Sequence, residues 1–161
     1  MAIVGGYTLN HNAAYAGMVA DGQLLNSVSR VNKGTDNILF GKGLVSDGED
    51  GAKLPVPAST AAQFNGVLKR ELNRAHTDAD PQGALPKYDM TVVTEGVIWV
   101  TVLDTVAKDA PVYLRVGATD AGDFSGIAGT GDTAGVLLPN AKFLTAGDAG
   151  DLVKISLGLG G

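Results

Sequence analysis

One strand-like run, residues 96–103, constrains the fold of this sequence more than any other feature, because it is apolar on both faces. Successive side chains of a β-strand point to opposite sides of the sheet. One face would carry Val97, Trp99, Thr101 and Leu103, and the other Ile98, Val100 and Val102. A strand of this kind is either central to a packed structure or covered by a neighbouring subunit. The chain therefore needs β-structure with apolar material on both sides of this run.

Further runs with strand character accompany it. Residues 90–95 are rich in β-branched side chains and form, with residues 96–103, two strand-like runs around a bend. Residues 151–159 alternate apolar and polar positions, as expected of a strand with one buried face. Residues 64–72 fit either a helix or a strand, and we interpret them as a strand because their surroundings are β-rich.

Glycine and proline punctuate these runs. The 23 glycines follow no Gly-X-Y period, which excludes collagen and favours tight turns between short strands. Pro111 can begin a strand over 112–116, and Pro139 separates the short apolar runs 136–138 and 142–144. Short strands at close spacing predict a mostly-β fold, either a small β-barrel or a sandwich.

The N-terminal part of the chain differs from the rest. We expect residues 1–34 to form an extended arm and residues 35–161 a single β-rich body. The arm has small and polar residues with scattered apolar side chains that could anchor it, namely Tyr15, Met18, Leu24, Leu25 and Val28. The alternative is an ordinary edge strand and loop of the main domain. A terminal segment of this composition becomes ordered only where something ties it down.

Charge and cysteine content exclude several classes of partner and site. The chain has no cysteine, so it has neither a disulfide framework nor a thiolate metal site. Its net charge is -5, and the basic cluster of Lys69, Arg70 and Arg74 is interrupted by Glu71. Because nucleic-acid affinity depends on clustered basic residues, we expect no nucleic-acid partner. No apolar stretch approaches the ~20 residues of a membrane helix, so we expect no membrane partner.

The sequence contains no convincing constellation for catalysis or metal binding. We interpret its two histidines, His11 and His76, as exposed loop residues without a nucleophile nearby. The acidic turn at 47–50 and the pair Asp78 and Asp80 do not continue into a calcium loop. The glycine-rich residues 126–135 lack the Gly-Lys-Ser/Thr of a phosphate loop. We therefore expect no enzymatic activity, no cofactor and no metal.

Six short phrases occur in an order that resembles one protein family. They are residues 10–17 (NHNAAYAG), 40–43 (FGKG), 64–67 (FNGV) with Arg70 and Glu71 after it, 96–100 (GVIWV), 111–117 (PVYLRVG) and 150–157 (GDLVKISL). In this order they resemble the structural cement, or head decoration, proteins of tailed bacteriophages. The resemblance extends from about Asn10 to Leu157 and depends on the order of the phrases, because none of them carries chemistry alone.

The resemblance implies a small β-barrel or β-tulip-like body with an N-terminal arm. It implies a non-enzymatic virion protein, made in the host bacterial cytoplasm, that binds the outer surface of a phage head and cements contacts between major capsid subunits. Its partners would be the major capsid protein and other copies of itself, as a homotrimer or alternatively a dimer. We expect Tyr15, Met18, Leu24 and Leu25 to contact the capsid or a neighbouring copy. We also expect that deletion of all residues before Gly34 abolishes head binding and leaves the body folded.

The sequence leaves two other functions open. A carbohydrate- or host-binding β-module of a virion fibre or adhesin would need a cluster of exposed aromatic residues, whereas only 6% of the residues are aromatic. A small β-barrel hydrolase resembling a dUTPase would need an acidic metal site and a phosphate-binding motif, and we find neither in the sequence. Glycan binding and nucleotide hydrolysis are the assays that would separate these two functions from cementing.

Overall fold

The computed structural model describes residues 14–22, 24–71 and 82–158. The strands are β1 (Asn26–Asn32), β2 (Ile38–Leu39), β3 (Gly43–Asp47), β4 (Gly51–Lys53), β5 (Phe64–Leu68), β6 (Gly83–Ala84), β7 (Asp89–Thr101), β8 (Pro111–Arg115), β9 (Phe124–Ser125), β10 (Gly135–Phe143) and β11 (Leu152–Leu157). Two short 3-10 helices cover Ala61–Gln63 and Gly131–Thr133. In the described part of the chain, no helix has the length and apolar character needed to cross a membrane.

Five strands close into a β-barrel. Their order is β1-β4-β3-β5-β7, and β1 pairs with β7 again to complete the circle. The pairing of β1 with β4 is parallel and its pairing with β7 is antiparallel, so β1 joins the two ends of an otherwise open sheet. Each barrel strand contributes an apolar side chain to one interior cluster, namely Val28, Leu44, Ala52, Leu68 and Val92. Closure removes the free edges that an open five-stranded sheet would present to other chains.

The long strand β7 belongs to two sheets. Its 13 residues pair with β1 and β5 near the beginning and with β11 near the end. From β11 the second sheet continues through β10 and β8 to β9. Phe124 of β9 then forms a parallel bridge with Val102, the residue that directly follows β7. The second sheet therefore begins at residues 96–101 of β7, through β11, and its last strand β9 returns to Val102, the residue after β7.

The second hydrophobic core lies between the barrel wall and the second sheet. On each of three barrel strands, two neighbouring residues point to opposite sides of the sheet. Leu44, Leu68 and Val92 lie inside the barrel. Their neighbours Val45, Val67 and Val93 lie in the second core. Ile98, Val100 and Val102 join that core and are completely buried. Burial on both sides of the sheet explains why these strands are apolar on consecutive positions.

The structure confirms the mostly-β prediction and the barrel, and it corrects two strand boundaries. Residues 90–95 and 96–103 are not two runs around a bend, since Gly96 allows one strand to continue through it with φ +130. Likewise the runs on either side of Pro139 form the single strand β10. Proline is tolerated there because the register with β8 shifts between Leu138 and Lys142, and the pairing with β11 begins only at Ala141.

The N-terminal part of the described chain follows one edge of β7. Residues Asn26 to Val31 of β1 pair with the first half of β7, and Val19 forms a bridge to Ile98 in its second half. Between these two paired stretches, residues 21, 22, 24 and 25 belong to no assigned strand. Part of the arm predicted for residues 1–34 therefore lies in the sheet of the body. The expectation that all residues before Gly34 could be removed without unfolding the body conflicts with this pairing, because β1 closes the barrel.

Candidate interaction surface

Residues 14–20, here called the edge segment, are fastened to β7 by main-chain hydrogen bonds. The amide of Gly17 donates to the carbonyl oxygen of Trp99 at 2.8 Å, and the amide of Trp99 donates to Met18 at 2.9 Å. A third bond, from the amide of Ala20 to the carbonyl oxygen of Val97, also measures 2.9 Å. The edge segment thus extends the sheet by a short strand-like piece, with its side chains held in a fixed order along β7.

Glycine is required where the edge segment crosses two other backbone stretches. Gly17 has φ +78, and a Cβ atom there would lie 2.7 Å from the carbonyl oxygen of Leu68 and 2.8 Å from the amide nitrogen of Gly41. The carbonyl oxygen of Gly17 also accepts a hydrogen bond of 2.7 Å from the amide of Arg70. A side chain at this position would displace backbone, which cannot move aside as a flexible side chain can.

We expect Gly17→Ala to lift the edge segment from β7. The added methyl group meets backbone atoms and a positive φ, so the substitution should reduce the protection of the Trp99 and Ala20 amides by about tenfold or more. Hydrogen–deuterium exchange measures this change directly. The matched control is Gly22→Ala, because a Cβ atom at Gly22 has no neighbour within 4 Å. If the Trp99 and Ala20 amides are equally protected in both variants, the backbone crossing at Gly17 does not hold the edge segment on β7.

An arginine orients the largest side chain of the edge segment. The guanidinium carbon of Arg70 lies 4.7 Å from the centre of the Tyr15 ring and 5.7 Å from the centre of the Phe40 ring. A cation over the face of an aromatic ring stabilises the pair by about 0.5–1 kcal/mol at an exposed site. The contact holds Tyr15 in one orientation while 47% of the residue stays exposed. A partner would therefore meet a preordered ring and lose less side-chain entropy on binding.

The structure separates the four predicted contact residues. Tyr15 and Met18 lie together on the edge segment, and Met18 is 42% exposed. Leu24 lies between the edge segment and β1, and at 67% it is the most exposed of the large apolar residues described. Leu25 is half-buried, packs against the second core, and approaches Gly96 so closely that a Cβ there would lie 2.8 Å from its Cδ1. Three of the four side chains are available to a partner, and Leu25 faces the body.

A pocket beside the edge segment was not foreseen from the sequence. Ala16, Leu39, Lys42, Thr101 and Asp123 are among the residues that line it. Leu39 is 44% exposed because only the first residue of the two-residue strand β2 points into the barrel core. The ammonium of Lys42 lies 2.7 Å from a carboxylate oxygen of Asp123 and joins the barrel to the second sheet. Burial raises the pKa of Asp123, although the hydrogen bond and charge of Lys42 act to lower it.

The structure offers no new support for a chemical site. His11, His76, Asp78 and Asp80 lie outside the described residues. In the acidic turn, Asp47 pairs with Lys53 at 3.2 Å and Asp50 with Lys33 at 3.3 Å. Among the residues that the structure describes, no three His, Cys, Asp or Glu side chains are grouped as metal ligands would be. Much of the glycine-rich stretch 126–135 is a connection, with the 3-10 helix Gly131–Thr133 before β10.

Comparison with known proteins assigns the chain to a family. The family model described as "Structural cement protein (E217 gp24/Pam3 gp6)" matches residues 4–158 of the 161. The chain belongs to the structural cement protein family. The resemblance recognised in the sequence is thereby confirmed, and the chain has a structural role.

Solved structures support the fold of this cement-family chain. A chain from "The capsid of Myoviridae Phage XM1" is similar with a TM-score of 0.74 and 17% sequence identity, and the match covers 98% of both chains. At this identity the likeness establishes the fold alone. A weaker similarity, with a TM-score of 0.46 and 13% identity over 83% of this chain and 94% of the other, is to the head fiber gp8.5 N base of bacteriophage phi29. A search of curated proteins found no match.

Proposed function

We propose that this chain binds the outer surface of a phage head and cements the contacts between major capsid subunits. The observation that carries the proposal is the match of the structural cement family over residues 4–158. The fold agrees with such a role, since it is a closed barrel joined to a second sheet with three exposed apolar residues near one edge of β7. The chain would be made in the host cytoplasm and would remain on the virion.

The edge segment and Leu24, which follows it, are the proposed contact surface. Tyr15, Met18 and Leu24 can each be buried by a partner without disturbing either core. Burial of apolar surface contributes roughly 25 cal/mol per Å², from which the cost of ordering and association must be subtracted. A single copy with such a small apolar surface would bind weakly. A homotrimer would present three of these surfaces at once, and linking them raises apparent affinity by ~10²–10⁴ when the geometry allows joint engagement.

The proposal is tested with purified protein and heads that lack a decoration protein. Light scattering gives the mass of the free protein, and sedimentation of mixtures gives the number of copies bound per head. We expect a trimer, saturable binding, and a higher temperature of head disruption at saturation. A protein that leaves the heads bare at every concentration would contradict the cementing role. If the protein is a dimer and still stabilises heads, the predicted trimer is wrong and the cementing role stands.

The double variant Tyr15→Ala with Met18→Ala should bind heads about 100-fold more weakly, because two apolar contacts of about 1–2 kcal/mol each are lost. Neither side chain is part of a core cluster, so the melting temperature should change little. The matched control is Leu137→Ala, since Leu137 on β10 is 45% exposed and lies outside the edge segment. Binding is measured by co-sedimentation at several protein concentrations. If the control weakens binding as much as the double variant, the edge segment is not the contact surface.

A further inference from the structure

We propose that Arg70 receives a carboxylate from an Asp or Glu side chain of the protein surface that this chain binds. The inference rests on the proposed function and adds the chemistry of the partner. Arg70 follows β5, and its backbone amide donates to the carbonyl oxygen of Gly17 at 2.7 Å, so it lies directly against the edge segment. Its guanidinium lies over the ring of Tyr15, a residue that is 47% exposed. A partner that covers Tyr15 would therefore also reach Arg70.

The N–H groups of the Arg70 guanidinium are open to such a partner. In the described part of the chain, this group contacts the rings of Tyr15 and Phe40 and has neither an ion pair nor a side-chain hydrogen bond. The face of an aromatic ring attracts the positive charge but supplies no oxygen to accept the N–H groups. None of the Arg70 nitrogens is buried and unpaired, so their N–H groups reach solvent. A planar guanidinium with open N–H groups matches the two oxygens of a carboxylate.

The charges around Arg70 also favour an acidic partner. The neighbouring Lys69 already pairs with Glu71 at 3.4 Å, and Lys42 pairs with Asp123 at 2.7 Å. Each of these ion pairs is neutral in sum, so Arg70 adds one positive charge that no carboxylate of the described residues balances. An incoming carboxylate would balance this charge, whereas an incoming Lys or Arg would meet a like charge.

The position of Arg70 strengthens a contact with a carboxylate. The residue is half-buried, and the two rings at 4.7 and 5.7 Å restrict its guanidinium before a partner arrives. Less side-chain freedom is then lost on binding. A partner that covers Tyr15 would exclude more water from the guanidinium, and a charge-assisted hydrogen bond is stronger where water is excluded.

The first experiment compares head binding by Arg70→Met, Arg70→Lys and Lys108→Met. Methionine removes the charge and keeps much of the apolar stem, so we expect binding to weaken about tenfold or more and to depend less steeply on salt. Lysine keeps the charge without the planar fork, so Arg70→Lys should bind with intermediate affinity and retain the salt dependence. The matched control is Lys108→Met, which should bind as the wild type does. Lys108 is exposed in the turn before β8 and likewise has no ion pair among the described residues.

Two results of this experiment would overturn the inference and leave the proposed function intact. The first is equal binding of heads by Arg70→Met and Lys108→Met. The second is weaker binding of Arg70→Met with an unchanged salt dependence, because Arg70 would then act only by orienting Tyr15. Hydrogen exchange of the Trp99 and Ala20 amides shows whether the edge segment stays on β7 in each variant. If Arg70→Met releases the edge segment, the second experiment decides, because it uses the unaltered chain.

The second experiment needs no heads and so remains informative if the proposed function fails. The isolated full chain is titrated with sodium acetate, and separately with sodium chloride and sodium phosphate at the same ionic strength. Resonances of the arginine Nε–H groups distinguish Arg70 from Arg30, whose guanidinium donates to the carbonyl oxygen of Ser29 at 3.2 Å. We expect acetate to shift the Arg70 resonance saturably and to leave that of Arg30 unchanged, and chloride to shift neither. Equal shifts of the two arginines, no shift of Arg70, or a shift with phosphate and not with acetate would overturn the inference.

Discussion

Deletion of residues 1–33 is expected to abolish the cooperative unfolding transition, whereas deletion of residues 1–13 should preserve it. The first deletion removes β1 together with the edge segment. Six residues of β1 are in register with β7 and two with β4, so this strand alone links the two ends of the five-stranded barrel. Without it, both neighbouring strands would expose unpaired amides and carbonyls, and each unpaired buried group costs about 1–3 kcal/mol.

The loss of packing adds to the loss of pairing. Val28 packs against the barrel interior, and removal of β1 would let water reach Leu44, Ala52 and Val92 across the opened wall. Native domains are stable by only about 5–15 kcal/mol, and the combined loss is of that order. The shorter deletion keeps every residue of the barrel and of the edge segment. Circular dichroism during heating and near-ultraviolet spectra of the two truncated chains measure the difference.

A third chain that begins at Gly22 sharpens this experiment. It keeps β1 and lacks the edge segment, so it should fold with a lower melting temperature and should fail to bind heads. A chain beginning at Gly34 that still melts cooperatively at a similar temperature would show that the barrel does not need β1. That result would restore the boundary first expected at residue 34.

The difficulty of recognising β1 from the sequence has a physical origin. Hydrophobic periodicity detects strands that bury a face, and Asn26–Asn32 reads NSVSRVN, with only two apolar residues. This strand contributes mainly main-chain pairing to the barrel. Its last residue, Asn32, is completely buried and donates side-chain hydrogen bonds to the carbonyl oxygens of Asp36 at 3.0 Å and Ala84 at 2.9 Å. By contrast, the runs that contain β11 and the second half of β7 are recognisable because burial determines their side chains on one or both faces.

The candidate surface was predictable to a similar extent. Tyr15, Met18 and Leu24 are apolar residues in a segment without periodicity, and none of the three belongs to either core. Leu25 carries the same signal, and only its position opposite Gly96 turns it inward. The pairing of Lys42 with Asp123 has no sequence signal, because the turn before β9 reaches β3 only through the arrangement of the two sheets.

The second large effect is expected at a glycine inside the barrel wall. Gly66→Ala should lower the free energy of unfolding by about 3–4 kcal/mol, in the upper range for a single substitution, and the melting temperature by roughly 10 °C. Gly66 lies in β5 with φ +136, and a Cβ atom there would overlap the carbonyl oxygen of Val93 and lie 2.8 Å from Cγ1 of Val92. Both neighbours belong to β7, so relief would require β5 and β7 to separate where they share both cores.

The matched control for this substitution is Gly48→Ala in the turn between β3 and β4. Gly48 also has positive φ, +74, but a Cβ atom there has no neighbour within 4 Å. The control should therefore show only the conformational cost of a positive φ, about 1–2 kcal/mol. Chemical denaturation of both variants with the same m-value gives the difference between them, which combines the close approach of β5 to β7 with the greater strain of φ +136. If the two variants lose equal stability, the close approach of β5 to β7 adds nothing to the cost of a positive φ at Gly66.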